Sequence, residues 1–145
     1  MTKLVFDGIE KELLTRIPEV GARVEKVFGS HYDLKMELPE PYPVFGAALR
    51  PLVFDVLSDE PNDELLKRIF SFLEEMANSL DPNVTDLLGI EILEPLTFDR
   101  ARIQRAWGYM GKRTRELAKE TARYGGWLEN LPSEEASADQ DPTAG

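Results

Sequence analysis

Asp59-Glu60-Pro61-Asn62-Asp63-Glu64-Leu65-Leu66-Lys67-Arg68-Ile69-Phe70-Ser71-Phe72-Leu73-Glu74-Glu75-Met76-Ala77-Asn78-Ser79-Leu80 is the stretch on which the fold turns. Its opening combines a capping residue, a proline and early acids. All three are favoured at a helix N-terminus, where unpaired N–H groups attract negative charge. Leu65, Leu66, Ile69, Phe70, Phe72, Leu73, Met76, Ala77 and Leu80 then recur at helical spacing, a stripe wide enough to be a core face.

Downstream, Asp81 is placed to cap a new helix with Pro82 at its first position. Residues 84–93 are apolar almost all round (Val84, Leu87, Leu88, Ile90, Ile92, Leu93), which predicts a helix buried on several sides and closed by Pro95. Thr97 or Asp99 then caps a last long helix reaching about Tyr124 through Ile103, Trp107, Met110 and Leu117.

Upstream, Leu4, Val5, Ile9, Leu13, Leu14 and Ile17 form a helical stripe over residues 3–17, weakened at Asp7-Gly8. Pro18 opens a second helix to Phe28, ended by Gly29. Residues 32–38 alternate apolar and polar, the period of a half-buried strand or of an extended loop lying on the core. Pro39-Glu40-Pro41-Tyr42-Pro43 is expected to break regular structure, and residues 44–57 to be helical with an interruption at Pro51. The expectation is an all-α fold of five to six helices in antiparallel pairs, 44–57 with 62–80 and 83–94 with 98–124, similar to helical-repeat stacking. One helical domain over residues 1–128 would precede an acidic, disordered tail over 129–145, poor in large apolar side chains.

The chain has 145 residues, enough for one domain with a substantial core. Its 42% hydrophobic content with 30% charged residues is that of a globular protein. Cysteine is absent, which excludes disulfides and thiolate metal sites. There is no uninterrupted apolar run of roughly 18 residues, and the N-terminus shows no secretory pattern, so a cytoplasmic location is expected. Net charge is −10. Residues 98–124 hold eight Lys/Arg against three acids, a net +5, which leaves −15 for the remainder. That body favours cationic partners and repels phosphate.

Catalytic apparatus is missing. His31 stands alone at a turn with no nucleophile at a known spacing, and Gly108 and Gly111 do not form a phosphate cradle. The Asp63-Glu64 and Glu74-Glu75 pairs fall on charged helix faces, and adjacent helical residues do not face each other. No enzyme, cofactor or metal site is expected. The basic segment 98–124, with Trp107 and Tyr109, carries the alternative reading of a nucleic-acid or regulatory binder.

Glu64 to Ala77, followed by Asp81-Pro82-Asn83-Val84-Thr85-Asp86-Leu87-Leu88-Gly89-Ile90-Glu91-Ile92-Leu93-Glu94-Pro95-Leu96, resembles a family of small uncharacterised bacterial helical domains found among candidate immunity proteins of polymorphic toxin systems. Ile17-Pro18-Glu19 matches the Pro-Glu helix with which members begin, and the likeness covers roughly residues 10–97. It implies a protein with no active site that binds a cognate toxin, filling a cationic cleft with an acidic helical surface. The contact residues expected on that basis are Tyr32, Glu37, Glu40 and Tyr42 in the irregular segment. The helix-surface acids Asp59, Glu60, Asp63, Glu74, Glu75, Asp86 and Glu91 come next. For each acid the plainer reading is a solvated surface charge.

Overall fold

Asn62 accepts a hydrogen bond from the Leu65 N–H at 3.1 Å and thereby opens the helix that organises the molecule, Asp63–Ala77. In the computed structural model, which describes residues 4–29, 39–58 and 61–132, the described residues form seven helices and no strand. The fold is all-α, as expected, with more helices than the five to six predicted. Residues 32–38, read as strand or extended loop, and His31 lie outside the described residues.

The helices are α1 (Ile9–Arg16), α2 (Glu19–Phe28), α3 (residues 41–56), α4 (Asp63–Ala77), α5 (residues 82–98), α6 (Arg100–Ala106) and α7 (Lys112–Gly125). The first is shorter than the apolar stripe suggested. Gly8 sits at φ 83°, a left-handed conformation that a side chain would strain, and the helix starts after it. Leu4 still reaches the core while Val5 points outward. The segment is pinned by the Phe6 N–H, which donates to Asp81 Oδ2 at 2.9 Å, and by Ser79 Oγ, which donates to the Leu4 carbonyl at 2.7 Å. Asp81 caps α5 with its other oxygen, accepting the Asn83 N–H at 3.0 Å.

Prolines behave differently from the expectation at three places, and the reason is shared. Pro41 begins α3 instead of breaking the chain, because a first-turn residue has no helical acceptor for its N–H. Pro51 and Pro95 lie inside continuous helices. Each follows a π-helical turn by two residues: Phe45–Leu49 before Pro51, Gly89–Leu93 before Pro95. The wider turn lets the backbone pass a residue that has no N–H and whose ring crowds the preceding turn. α5 therefore continues to Phe98 instead of closing at Pro95.

The predicted last long helix is two helices. After α6, a 3-10 turn at Trp107–Tyr109 leads to Met110 and Gly111 in extended conformations, and α7 restarts at Lys112. Glu74 of α4 supplies the new N-terminus with acceptors, a cap that lies far away in sequence. α7 ends at Gly126, φ 88°, where the Gly126 and Trp127 N–H groups both return to the Ala122 carbonyl at 3.0 Å.

The eight predicted core positions of α4 from Leu65 to Ala77 are buried. Leu80 is not; it is 87% exposed because the helix has already ended at Ala77. Burial of each Leu or Phe contributes about 1.5–3 kcal/mol, so this helix anchors the core. It packs on α1, α3, α5 and α7, and the π turns of α3 and α5 meet each other. Both expected helix pairs are in contact, α3 with α4 and α5 with α6 and α7.

Residues just after 128 are placed as well. Leu128–Asn130 forms a 3-10 turn and Leu131 is 4% exposed. Asn130 Nδ2 donates to the Thr97 and Phe98 carbonyls at 3.2 and 3.1 Å, tying this turn to the end of α5.

Candidate functional site

Four of the expected contact residues, Tyr32, Glu37, Asp59 and Glu60, lie outside the described residues. Most of the others serve the fold. Glu75 forms a two-pronged ion pair with Arg16 of α1: Nη1 reaches Oε1 at 2.9 Å and Nη2 contacts Oε2. The same guanidinium lies 5.0 Å from the Phe72 ring centre. Its hydrogen bond to Glu75 raises the Arg16 pKa.

Glu74 accepts from the Arg113 N–H (3.1 Å), the Thr114 N–H (2.9 Å) and the Thr114 hydroxyl (2.7 Å). Burial pushes its carboxyl up, but the hydrogen bonds from Thr114, Arg113 and Asn78 outweigh burial and hold it below the ordinary value. Asp63 accepts from the Tyr109 hydroxyl at 2.6 Å and pairs with Lys67 at 3.1 Å; the Tyr109 hydrogen bond is the main reason its pKa is lowered. Glu91 faces Arg50 at 3.2 Å and packs onto Gly46, where an added Cβ would come within 2.4 Å of its Oε1. Each of these four acids has a partner within the fold. A negative charge on a helix face predicts exposure only when no cation or helix end lies opposite, and the sequence could not show what lay opposite.

Glu40 is exposed and precedes the first residue of α3. Tyr42 is half-buried, with its ring 6.0 Å from Phe6. Burial, reinforced by Asp86 and Glu91, raises its phenol pKa. Among the described residues Asp86 pairs with no cation. Asp63, Glu74 and Glu75 line one hollow with Lys67, Phe70 and Tyr109, whereas Asp86 belongs to an arrangement whose charged lining residues are all acids.

That arrangement is a trough of about 640 Å³ between α5 and α7. One wall is a continuous face of α5: Thr85, Asp86, Gly89, Ile90, Leu93 and Glu94. The facing wall carries Leu117, Glu120, Thr121, Tyr124 and Gly125 of α7, and Trp127 closes one side. Both walls follow the three-to-four-residue spacing of one helix face. Ile90 is 52% exposed and Tyr124 97%, so the trough is open along its edge. The Trp127 ring is held firmly. Its Nε1 donates to Thr97 Oγ1 at 2.9 Å, its ring meets Phe98 edge-on at 5.1 Å, and Gly125 leaves room for it. The charged lining residues are Asp86, Glu94 and Glu120, all acids.

Of this trough, sequence reasoning named Asp86 alone. Ile90 carried a signal, because an apolar residue on the outer face of a partly exposed helix has no core to enter. Glu94, Glu120, Tyr124 and Trp127 carried none, since their meeting depends on how α5 crosses α7.

Four of the eight basic residues of segment 98–124 are engaged within the fold. Arg102 pairs with Asp99 at 2.6 Å and lies 4.6 Å from the Phe54 ring centre. Arg105 donates to the Leu57 carbonyl at 3.0 Å, and Arg113 pairs with Glu116 at 3.1 Å. Arg115 Nη2 donates to the Trp107 carbonyl at 2.8 Å, and the guanidinium lies 5.3 Å from the centre of that ring. Among the described residues no three His, Cys, Asp or Glu side chains are grouped to hold a metal ion, and no helix is long and apolar enough to cross a membrane.

No curated protein and no solved structure matches the chain. A family model matches it over residues 10–125, which takes in α1 to α7 and both walls of the trough up to Gly125. The chain belongs to that family, described as a domain of unknown function, DUF7674.

Proposed function

We propose that this domain is a non-catalytic protein-binding module of the immunity type, which neutralises a cationic toxin domain by direct, stoichiometric contact. The observation that carries the reading is the trough between α5 and α7, where apolar surface is bordered only by carboxylates. An apolar floor supplies affinity and a single-sign rim supplies steering and selection, the division of labour typical of protein interfaces. The net charge of −10 acts in the same direction at longer range. The resemblance over residues 10–97 to domains found among candidate immunity proteins supports the toxin as partner. The engagement of Arg102, Arg105, Arg113 and Arg115 within the fold weighs against a nucleic-acid surface.

The test is affinity capture of the full chain from its native lysate at about 0.15 M salt, with the mass of the complex measured by light scattering. A one-to-one complex with a basic protein, whose toxicity disappears on co-expression with this chain, is the expected result. Recovery of nucleic acid in place of protein, or turnover of a co-purifying small molecule, overturns the reading.

A further inference from the structure

The trough has a shape more specific than an acidic patch. Asp86, Ile90 and Glu94 stand four residues apart on α5, and Leu117, Thr121 and Gly125 stand four apart on α7. Its lining on α5 runs from Thr85 to Glu94, nine residue steps of about 1.5 Å each, so it is about 13 Å long. A helix of about three turns spans that distance. Among the described residues there is no sheet edge that an extended peptide could join. A helix laid with its apolar face in a groove is the recognition mode left to such a surface.

Gly89 sits in the middle of the α5 wall. A Cβ added there would meet nothing within 4 Å, so the middle of the trough is open space instead of packed protein. With acids on both walls, Asp86 and Glu94 on one and Glu120 on the other, the positions flanking the apolar face of an occupant meet carboxylates on either side. The chain's own residues 133–145 do not suit this site, because they contain four acids, no Lys or Arg and no large apolar side chain.

We infer that the trough between α5 and α7 receives a single amphipathic helix of the partner protein, apolar at i, i+3, i+4 and i+7 and bordered by Lys or Arg on both flanks. This rests on the protein-binding reading above and names the element through which it acts. The occupant's leucine-like side chains lie over Ile90, Leu93 and Leu117, its backbone passes above Gly89, and its cations face Asp86, Glu94 and Glu120.

The probe is a synthetic helical peptide of about 16 residues with Leu at those positions and Lys on both flanks, labelled for fluorescence anisotropy, and a twin with Glu in place of Lys. At about 0.15 M salt the Lys peptide is expected to bind the full chain saturably and one-to-one, and the Glu peptide not to bind. Gly89→Leu fills the trough without changing charge and is expected to weaken the Lys peptide about tenfold or more without lowering Tm, since a helical glycine is replaced by a better helix former. Gly89→Ala gives an intermediate loss and guards against a folding defect, while Ala22→Leu on the exposed face of α2 leaves binding intact. Absence of saturation up to about 1 mM, equal binding of the Glu peptide, or indifference to Gly89→Leu overturns the inference. So does a dimer of the free chain that Gly89→Leu dissociates, which assigns the trough to a second copy. A lysate partner still held one-to-one by Gly89→Leu overturns the trough as the site and leaves the protein-binding reading standing. Failure to capture any protein with the unaltered chain overturns that reading itself.

Discussion

Arg50 Nη1 donates to the main-chain carbonyl of Glu91, inside the π turn of α5, at 3.3 Å. The same guanidinium nitrogen reaches Glu91 Oε1 at 3.2 Å, so one side chain of α3 serves both the backbone and the carboxylate of α5. Each of these helices carries a π turn and a proline, and they meet at that point.

Arg50→Ala is therefore expected to cost about 1–2 kcal/mol, the value of a hydrogen bond to a charged group reduced for partial exposure. In a Glu91→Ala background the carboxylate contact is already gone, and the same substitution should cost less. A double-mutant cycle by denaturant unfolding reads the difference, and additivity of the two changes would show that carboxylate and guanidinium are not coupled.

Gly46→Ala gives a change of sign. An added Cβ lies 2.4 Å from Glu91 Oε1 and 3.1 Å from its Cδ, so the carboxylate must move and its pairing with Arg50 weakens. In the unaltered chain the substitution should destabilise. In Glu91→Ala that obstacle is gone, and the usual advantage of alanine over glycine in a helix, about 0.5–1 kcal/mol, should appear as a gain. Thermal denaturation of the four variants checks it.

Glu74 links stability to pH. Its folded-state carboxyl is held below the ordinary value of 4.5, so the folded state favours the charged form. That contribution is complete at pH values above 4.5 and is lost as pH falls below it, toward the lowered folded value. Glu74→Gln should lower stability at neutral pH by about 0.5–2 kcal/mol, the range for a lost helix cap. The gap to the unaltered chain should narrow in acid. A gap that stays constant from pH 7 to about pH 3 would dismiss the carboxylate as the cause.

Leu131 is the last buried residue among those described. Leu131→Ala should cost about 2–3 kcal/mol, in the range for emptying a buried site near a chain end. Because its neighbour Asn130 holds the Thr97 carbonyl, and Thr97 holds the Trp127 ring, this variant should also shift the tryptophan emission.

Periodicity and local chemistry were enough for the helical class, for the buried face of α4, and for the cap at Asp81, because each depends on residues within one or two turns. The glycine stop after α2 was legible for the same reason. The passage of α3 and α5 through Pro51 and Pro95 was not. A proline reads as a break unless a π turn precedes it, and the two π turns pack on each other across helices distant in sequence. Nor was the division of the last helix, since the cap of α7 is Glu74, 39 residues before Arg113. The candidate surface divided along the same line. Acidity and the absence of cysteine were visible in composition, whereas the fate of each carboxylate depended on what the fold placed opposite it. Glu74, Glu75 and Glu91 met a helix N-terminus, Arg16 and Arg50, while Asp86 met open space beside Ile90. Which charges remain available for a partner is a property of pairs of elements, and pairs exist only after the chain has folded.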